Sequence, residues 1–248
     1  MKVYRILALA AFPLTALSCS TKMSGDADLA GGRVNFTVEN DCDVTVVTKS
    51  SVSDYTALPE ASDFNITVKD SDGVSVYDGA VSGWDSSKSL QTGDYSVTAT
   101  CGEEGSEGFD KPYFTGSKNF TVTGGQTSSV SVPVKLGNSI VRISCSESFR
   151  NYFTDWSFAI ETGSGTKVDF PKTETRAAFI EAYRFSISGS LTSQGGKVTR
   201  FEKEYSSIEA NTCYTISFDA SNIGGLKVSV NFDDTVETID CGDIELND

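Results

Sequence analysis

The sequence predicts an all-β protein in which two tandem β-sandwich domains follow an export signal. Three observations carry that prediction. Apolar and polar residues alternate in many short runs, which puts one face of each run in a core. Asp-Gly, Gly-Gly and Gly-Asn dipeptides separate the runs at short intervals, as hairpins require. Beyond the first residues, no segment holds a helical period for more than two turns.

The elements follow in chain order. Lys2 and Arg5 open the chain, Ile6 to Leu17 is nearly all apolar, and Ala16-Leu17-Ser18 leads into Cys19. The apolar run is shorter than the roughly 20 residues a membrane-spanning helix needs. The pattern resembles a bacterial lipoprotein signal: residues 1–18 are removed and the Cys19 thiol takes the lipid. The alternative is ordinary cleavage and a soluble exported protein. Residues 19–31 are small and polar and read as a tether.

Residues 32–136 form the predicted N-terminal sandwich. Val34, Phe36 and Val38 alternate, Val44 to Thr48 is β-branched, and Phe64, Ile66 and Val68 share a face. Asp72-Gly73 turns the chain into Val74–Tyr77. Tyr95, Val97, Ala99 and Cys101 then line up behind Gly93, followed by Pro112–Ser117 and Asn119–Val122. Gly124-Gly125 leads into Val130, Val132, Val134 and Leu136, with Pro133 pointing outward as on an edge strand. Gly137-Asn138-Ser139 breaks the alternation, and residues 137–248 form the second predicted sandwich. It opens with Ile140–Cys145 and a helical turn over Ser148–Thr154. Strands are predicted at Trp156–Thr162, Lys167–Phe170, Arg176–Ile180, Tyr183–Leu191, Lys197–Tyr205, Cys213–Ala220, Leu226–Phe232 and Val236–Asp240.

The chain carries 34 acids, 20 Lys and Arg and a formal charge of −14, and loss of Lys2 and Arg5 with the signal makes it more negative. Such a charge repels nucleic acid, so no nucleic-acid partner is expected. Histidine is absent, which removes Ser-His-Asp and Cys-His catalysis and histidine metal sites. No cofactor or metal is expected, and the protein reads as non-catalytic. Besides Cys19 there are cysteines at 42, 101, 145, 213 and 241. Strand parity points Cys42 and Cys101 toward the first core, and Cys145 and Cys241 toward the second. The pairings Cys42–Cys101 and Cys145–Cys241 follow, with Cys213 left over. The alternative is five small buried thiols.

Asp70-Ser-Asp-Gly73 begins like a calcium loop, but Val74 and Val81 stand at the fifth and twelfth positions, where an EF-hand needs oxygen ligands. It reads as a turn. Trp84, in Ser-Gly-Trp-Asp, and Tyr113, in Lys-Pro-Tyr-Phe, are candidates for stacking on sugar rings. The structural alternative is that both close the end of a sandwich core.

Two stretches carry a wider resemblance. One is Val-Val-Thr-Lys49 followed by Phe-Asn-Ile-Thr-Val-Lys-Asp-Ser-Asp-Gly. The other is Leu-Gln-Thr-Gly-Asp-Tyr-Ser-Val-Thr-Ala followed by Pro-Tyr-Phe-Thr-Gly-Ser-Lys-Asn-Phe-Thr-Val. Together they resemble a family of Bacteroides-type two-domain surface lipoproteins of uncharacterised function, similar in layout to fimbrillin-like cell-adhesion proteins. The Leu-x-x-Gly-x-Tyr-x-Val-x-Ala part is also similar to transthyretin-like and other Ig-like sandwiches. The resemblance implies a lipid-anchored protein of the outer membrane and cell surface, structural or adhesive, fimbria-associated as a subunit or anchor. Its partners would be the membrane through the lipid, and other surface or pilus proteins. The second reading is a glycan-binding lipoprotein of a polysaccharide-capture system.

Overall fold

The computed structural model describes residues 31–40, 51–220, 225–232 and 238–245, and from Ala220 onward it describes the backbone alone. The signal, Cys19 with most of the tether, the strand expected at Val44–Thr48 and Cys42 lie outside the described residues. The architecture is all-β and multi-sheet, as the alternation predicts. Its strands are β1 (Arg33–Asn40), β2 (Asn65–Asp70), β3 (Ser75–Ala80), β4 (Gly93–Cys101), β5 (Gly108–Phe109), β6 (Phe114–Val122), β7 (Thr127–Leu136) and β8 (Asn138–Cys145). A short helix α1 (Glu147–Tyr152) follows. After it come β9 (Phe153–Thr162), β10 (Lys167–Pro171), β11 (Ala178–Glu181), β12 (Arg184–Ser193), β13 (Val198–Ser206), β14 (Cys213–Ala220), β15 (Gly225–Phe232) and β16 (Thr238–Glu245).

The first unit is a sheet in the order β1-β7-β6-β4-β2-β3. The residues that alternate in sequence are those it buries: Ile66 and Val68 of β2, Val97 and Ala99 of β4, and Val130, Val132, Val134 and Leu136 of β7. Each such side chain contributes about 1.5–3 kcal/mol when fully removed from water. The turn between β2 and β3 is set by Asp70, whose Oδ1 accepts the Asp72 and Val74 N–H groups at 3.0 and 2.8 Å. Gly73 supplies the left-handed backbone there, at φ 79°. Asp70 Oδ1 of the calcium-like tetrapeptide thus serves a turn.

β7 corrects the edge-strand expectation. Pro133 is exposed, but β1 runs parallel to β7 from Arg33↔Thr127 to Asn40↔Val134, so β7 is an interior strand. On its other side the β6 ladder covers only Phe114↔Leu136 and Thr115↔Lys135. It stops two residues short of Pro133, which has no N–H to donate. Past that point β6 and β7 cross closely, and a Cβ on Gly116 would collide with the Pro133 carbonyl oxygen.

The second unit packs two sheets, β10-β9-β12-β13 and β16-β15-β14-β8-β11-β5, around one core. That core is aromatic. Phe158 and Phe218 stack with centroids 4.2 Å apart, and Phe149 of α1 meets Phe153, Trp156, Phe158 and Phe218. The helical turn expected at Ser148–Thr154 is α1, capped by Ser146, whose hydroxyl accepts the Phe149 N–H at 3.1 Å.

The two units are joined by more than the Gly137 connection. The stretch after β4 leaves the first unit, and its β5 pairs antiparallel with β11 through Ala178↔Phe109 and Phe179↔Gly108. Glu107 anchors this crossing. Its carboxylate accepts from the Thr162 and Ser164 hydroxyls at 2.6 and 2.5 Å and from the Glu181 N–H at 2.8 Å. In the other direction Ile140, Phe179 and Cys213 pack into the first core. Asn138 Oδ1 accepts the Tyr113 N–H at 2.5 Å, and the Gly137 N–H donates to the Tyr113 carbonyl at 2.7 Å.

Candidate functional site

Trp84 is held by the first core. Its indole N–H donates to the Val34 carbonyl at 2.8 Å, and its ring meets Phe36 and Tyr77 edge-to-face at 4.9 and 5.1 Å. Tyr113 is half-buried at the junction, where its ring lies against Gly137. One ring closes the β1–β3 end of the first unit and the other packs at the joint between units, so the structure does not bring them onto one platform.

Of the cysteine pairings, Cys42–Cys101 depends on a residue outside those described. Cys145–Cys241 is corrected by strand order. Cys145 ends β8 and Cys241 lies on β16, with β14 and β15 between them. Three strand spacings amount to about 14 Å, and a disulfide tolerates at most about 7 Å between Cα atoms. Parity identifies a shared face, and adjacency is a separate condition that fails here. Burial raises the Cys145 thiol to about 11, with Arg150 pulling in the opposite direction. At neutral pH it is a protonated packing group and not a nucleophile.

A groove that sequence reasoning did not identify opens beside Cys145. The β8–β11 ladder ends at Val141↔Ala178, while β8 continues through Arg142, Ile143, Ser144 and Cys145. The chain between β10 and β11 swings away instead of pairing. This leaves a cleft of about 540 Å³ at the mouth between the two sheets. Its floor is Phe158, Phe170 and the half-buried Trp156, and its rim carries Arg150 and Lys172 with Arg142, whose guanidinium lies 6.0 Å over the Tyr55 ring. These cations come from β8, α1 and the segment after β10. No motif links them in sequence, which is why linear reading passes over them.

The wall after β10 is fixed in place. Lys172 Nζ donates to the Thr154 carbonyl at 2.7 Å and sits 4.4 Å above the Trp156 ring. Glu174, the acid lining the groove, accepts from Arg176 Nε and Nη2 at 3.1 and 2.9 Å and from the Thr175 and Arg176 N–H groups. The hydrogen bonds from Arg176 hold its carboxyl near 2. Arg176 also reaches Asp110 at 2.6 Å and lies over the Phe109 ring, which ties this wall to the β5 crossing. A second, larger trough of about 690 Å³ runs over the outer face of β9 and β12 beside Gly189. There Lys167 and Arg200 are matched by Asp169 and Glu202, so it has no net sign.

A model of the domain of unknown function DUF4493 matches residues 30–247. No curated protein matches the chain. Among solved structures it is similar to a fimbrial assembly protein from Parabacteroides distasonis, at 12% identity and TM-score 0.49, with 71% of this chain and 89% of that one covered. It is also similar to the fimbrial anchor protein Mfa2 from Porphyromonas gingivalis, at 13% identity and TM-score 0.37, covering 85% and 98%.

Proposed function

The chain belongs to the DUF4493 family, and from that premise we propose that it is a lipid-anchored bacterial surface protein with a structural or adhesive role and no catalysis. The observation that carries the reading is the join between the units. A two-domain chain with a simple linker would swing, since interfaces between domains are commonly small and polar. Here β5 is a strand of the second unit's sheet, and Ile140 and Phe179 complete the first unit's core. The join makes the two units one body able to transmit force. An export signal ending at Cys19 would tether that body by its N-terminal end.

Metabolic labelling with palmitate tests the anchor, and cell–cell aggregation of a deletion strain tests the role. Label is expected in the wild-type protein and not in Cys19→Ala, and aggregation is expected to fall on deletion. An unlabelled wild-type chain rejects the anchor. Unchanged aggregation rejects adhesion.

A further inference from the structure

We propose that the groove between the end of β11 and the part of β8 that runs past it is a binding site for a short acidic sugar, one that presents a carboxylate to Arg150 and Lys172. This goes beyond a structural or adhesive role, because it names a ligand class and the residues that hold it.

Charge is the first argument. The chain carries −14 overall, yet Arg150 of α1 and Lys172 from the segment after β10 line one cleft. The one acid lining it is already bound on both oxygens by Arg176. At physiological salt, charges beyond about 8 Å are largely screened, so the local excess governs what enters. The surrounding acidity acts in the opposite sense on long polyanions, which would have to cross it. A ligand with one or two carboxylates gains the local attraction without the distant repulsion.

Shape is the second. Arg150 offers a planar guanidinium group suited to bidentate contact with a carboxylate. Ser144, Thr173 and Thr175 place hydroxyls around the same opening, above an apolar floor of Trp156, Phe158 and Phe170. Hydroxyls over aromatic rings suit a body that is polar at its edges and carbon-rich on its faces, as a sugar ring is. The volume falls in the range of small-molecule sites. The stretch of β8 running past β11 spans four residues, about 13 Å. That is short for stable strand addition and favours a compact ligand over an extended peptide.

The groove is also built before any ligand arrives. Lys172 is fixed by the Thr154 carbonyl and the Trp156 ring, and the 174–176 wall by Asp110 and Phe109. A preformed site spends little ordering entropy on binding.

The test is calorimetric titration of the purified protein with digalacturonic acid, its neutral counterpart galactobiose, a sulfated disaccharide and a glutamate-rich hexapeptide. Tryptophan fluorescence serves as the second readout. The acidic sugar is expected to bind at least about tenfold more tightly than galactobiose, and Arg150→Ala and Lys172→Ala each to weaken it about fivefold or more. Arg150 is exposed, so its variant should keep the wild-type melting temperature, while Lys172→Ala also loses the Thr154 hydrogen bond and should melt slightly lower. Arg184→Ala, which breaks the pair with Glu204 and the contact with the Tyr183 ring away from the groove, should leave affinity unchanged. Preference for the sulfated sugar overturns the assignment of a carboxylate ligand. Tighter binding of the peptide, equal binding of neutral and acidic sugars, no binding of any acidic sugar, or wild-type affinity in both groove variants overturns the proposal.

Discussion

The two tryptophans sit in opposite surroundings, one in each unit. Trp84 has an aliphatic, β-branched core behind it and rings on its flanks, and its one polar atom is used by the Val34 carbonyl. Trp156 has an aromatic core behind it, a lysine above it and two arginines across the same cleft. The same side chain therefore does different work. At Trp84 it seals a sheet whose edge strand is added in parallel. At Trp156 it floors an opening, left because β11 stops short of β8. What separates the two is whether a neighbouring strand runs far enough to cover the ring.

Substitution by alanine is the most direct way to break this comparison. Trp84→Ala removes a large packed ring and leaves the Val34 carbonyl without its donor, a loss of about 3 kcal/mol. Trp156→Ala, at the lip of a groove, should cost about 1 kcal/mol. In thermal unfolding at neutral pH the first variant should melt roughly 6–12 °C below wild type and the second roughly 2–4 °C below. Equal shifts would show that both rings are core residues and that the groove floor is as closed as the Trp84 end.

Much of the fold is legible in the sequence because burial acts on single residues. Val34, Ile66, Val97 and Val132 announce their face by alternation, and the structure buries each of them. What parity cannot supply is which strand lies beside which. β1 reads as a strand, but its parallel seat on β7 depends on a partner nearly 100 residues away. Pro112–Ser117 and Asn119–Val122 read as two runs because Gly116, Ser117 and Lys118 interrupt the apolar pattern. β4 pairs with all of β6 from Gly93↔Val122 to Cys101↔Phe114 and makes it one strand. β5 is two residues long, too short for any period, although it connects the units. The groove shares that property: Arg150 and Lys172 come to line one opening only through the place where one ladder ends.

The comparison sharpens at the joint, where Glu107 holds the β5 crossing. Burial opposes its charge, but hydrogen bonds from Ser164, Thr162 and the Glu181 N–H outweigh that and set its carboxyl below the ordinary 4.5. A group lowered in the folded state stabilises fully above its unfolded value and loses that contribution as pH falls through the folded one. Glu107→Gln should therefore lower stability by about 1–2 kcal/mol at pH 7, with the gap to wild type narrowing as pH drops below about 4. Urea titrations at pH 7 and pH 3 check the sign. A gap that widens in acid would mean that the carboxylate is not what holds the crossing.

The smallest effect concerns Cys145, which shares the groove with Trp156. Its thiol is pushed up to about 11, mainly by burial. Reaction with a thiol reagent requires the thiolate, which at pH 8 is then about 1 part in 1,000 of the population. Cys145 should label far more slowly in the folded protein than in urea, and mass mapping of modified peptides at timed intervals reads this directly. The strand order adds a second expectation. Because β14 and β15 separate Cys145 from Cys241, non-reducing digestion should return no peptide linking the two. Fast labelling of Cys145 would place it at the open surface of the groove. A Cys145–Cys241 link would require β16 to lie beside β8 and would redraw the sheet on which the Trp156 side of the comparison rests.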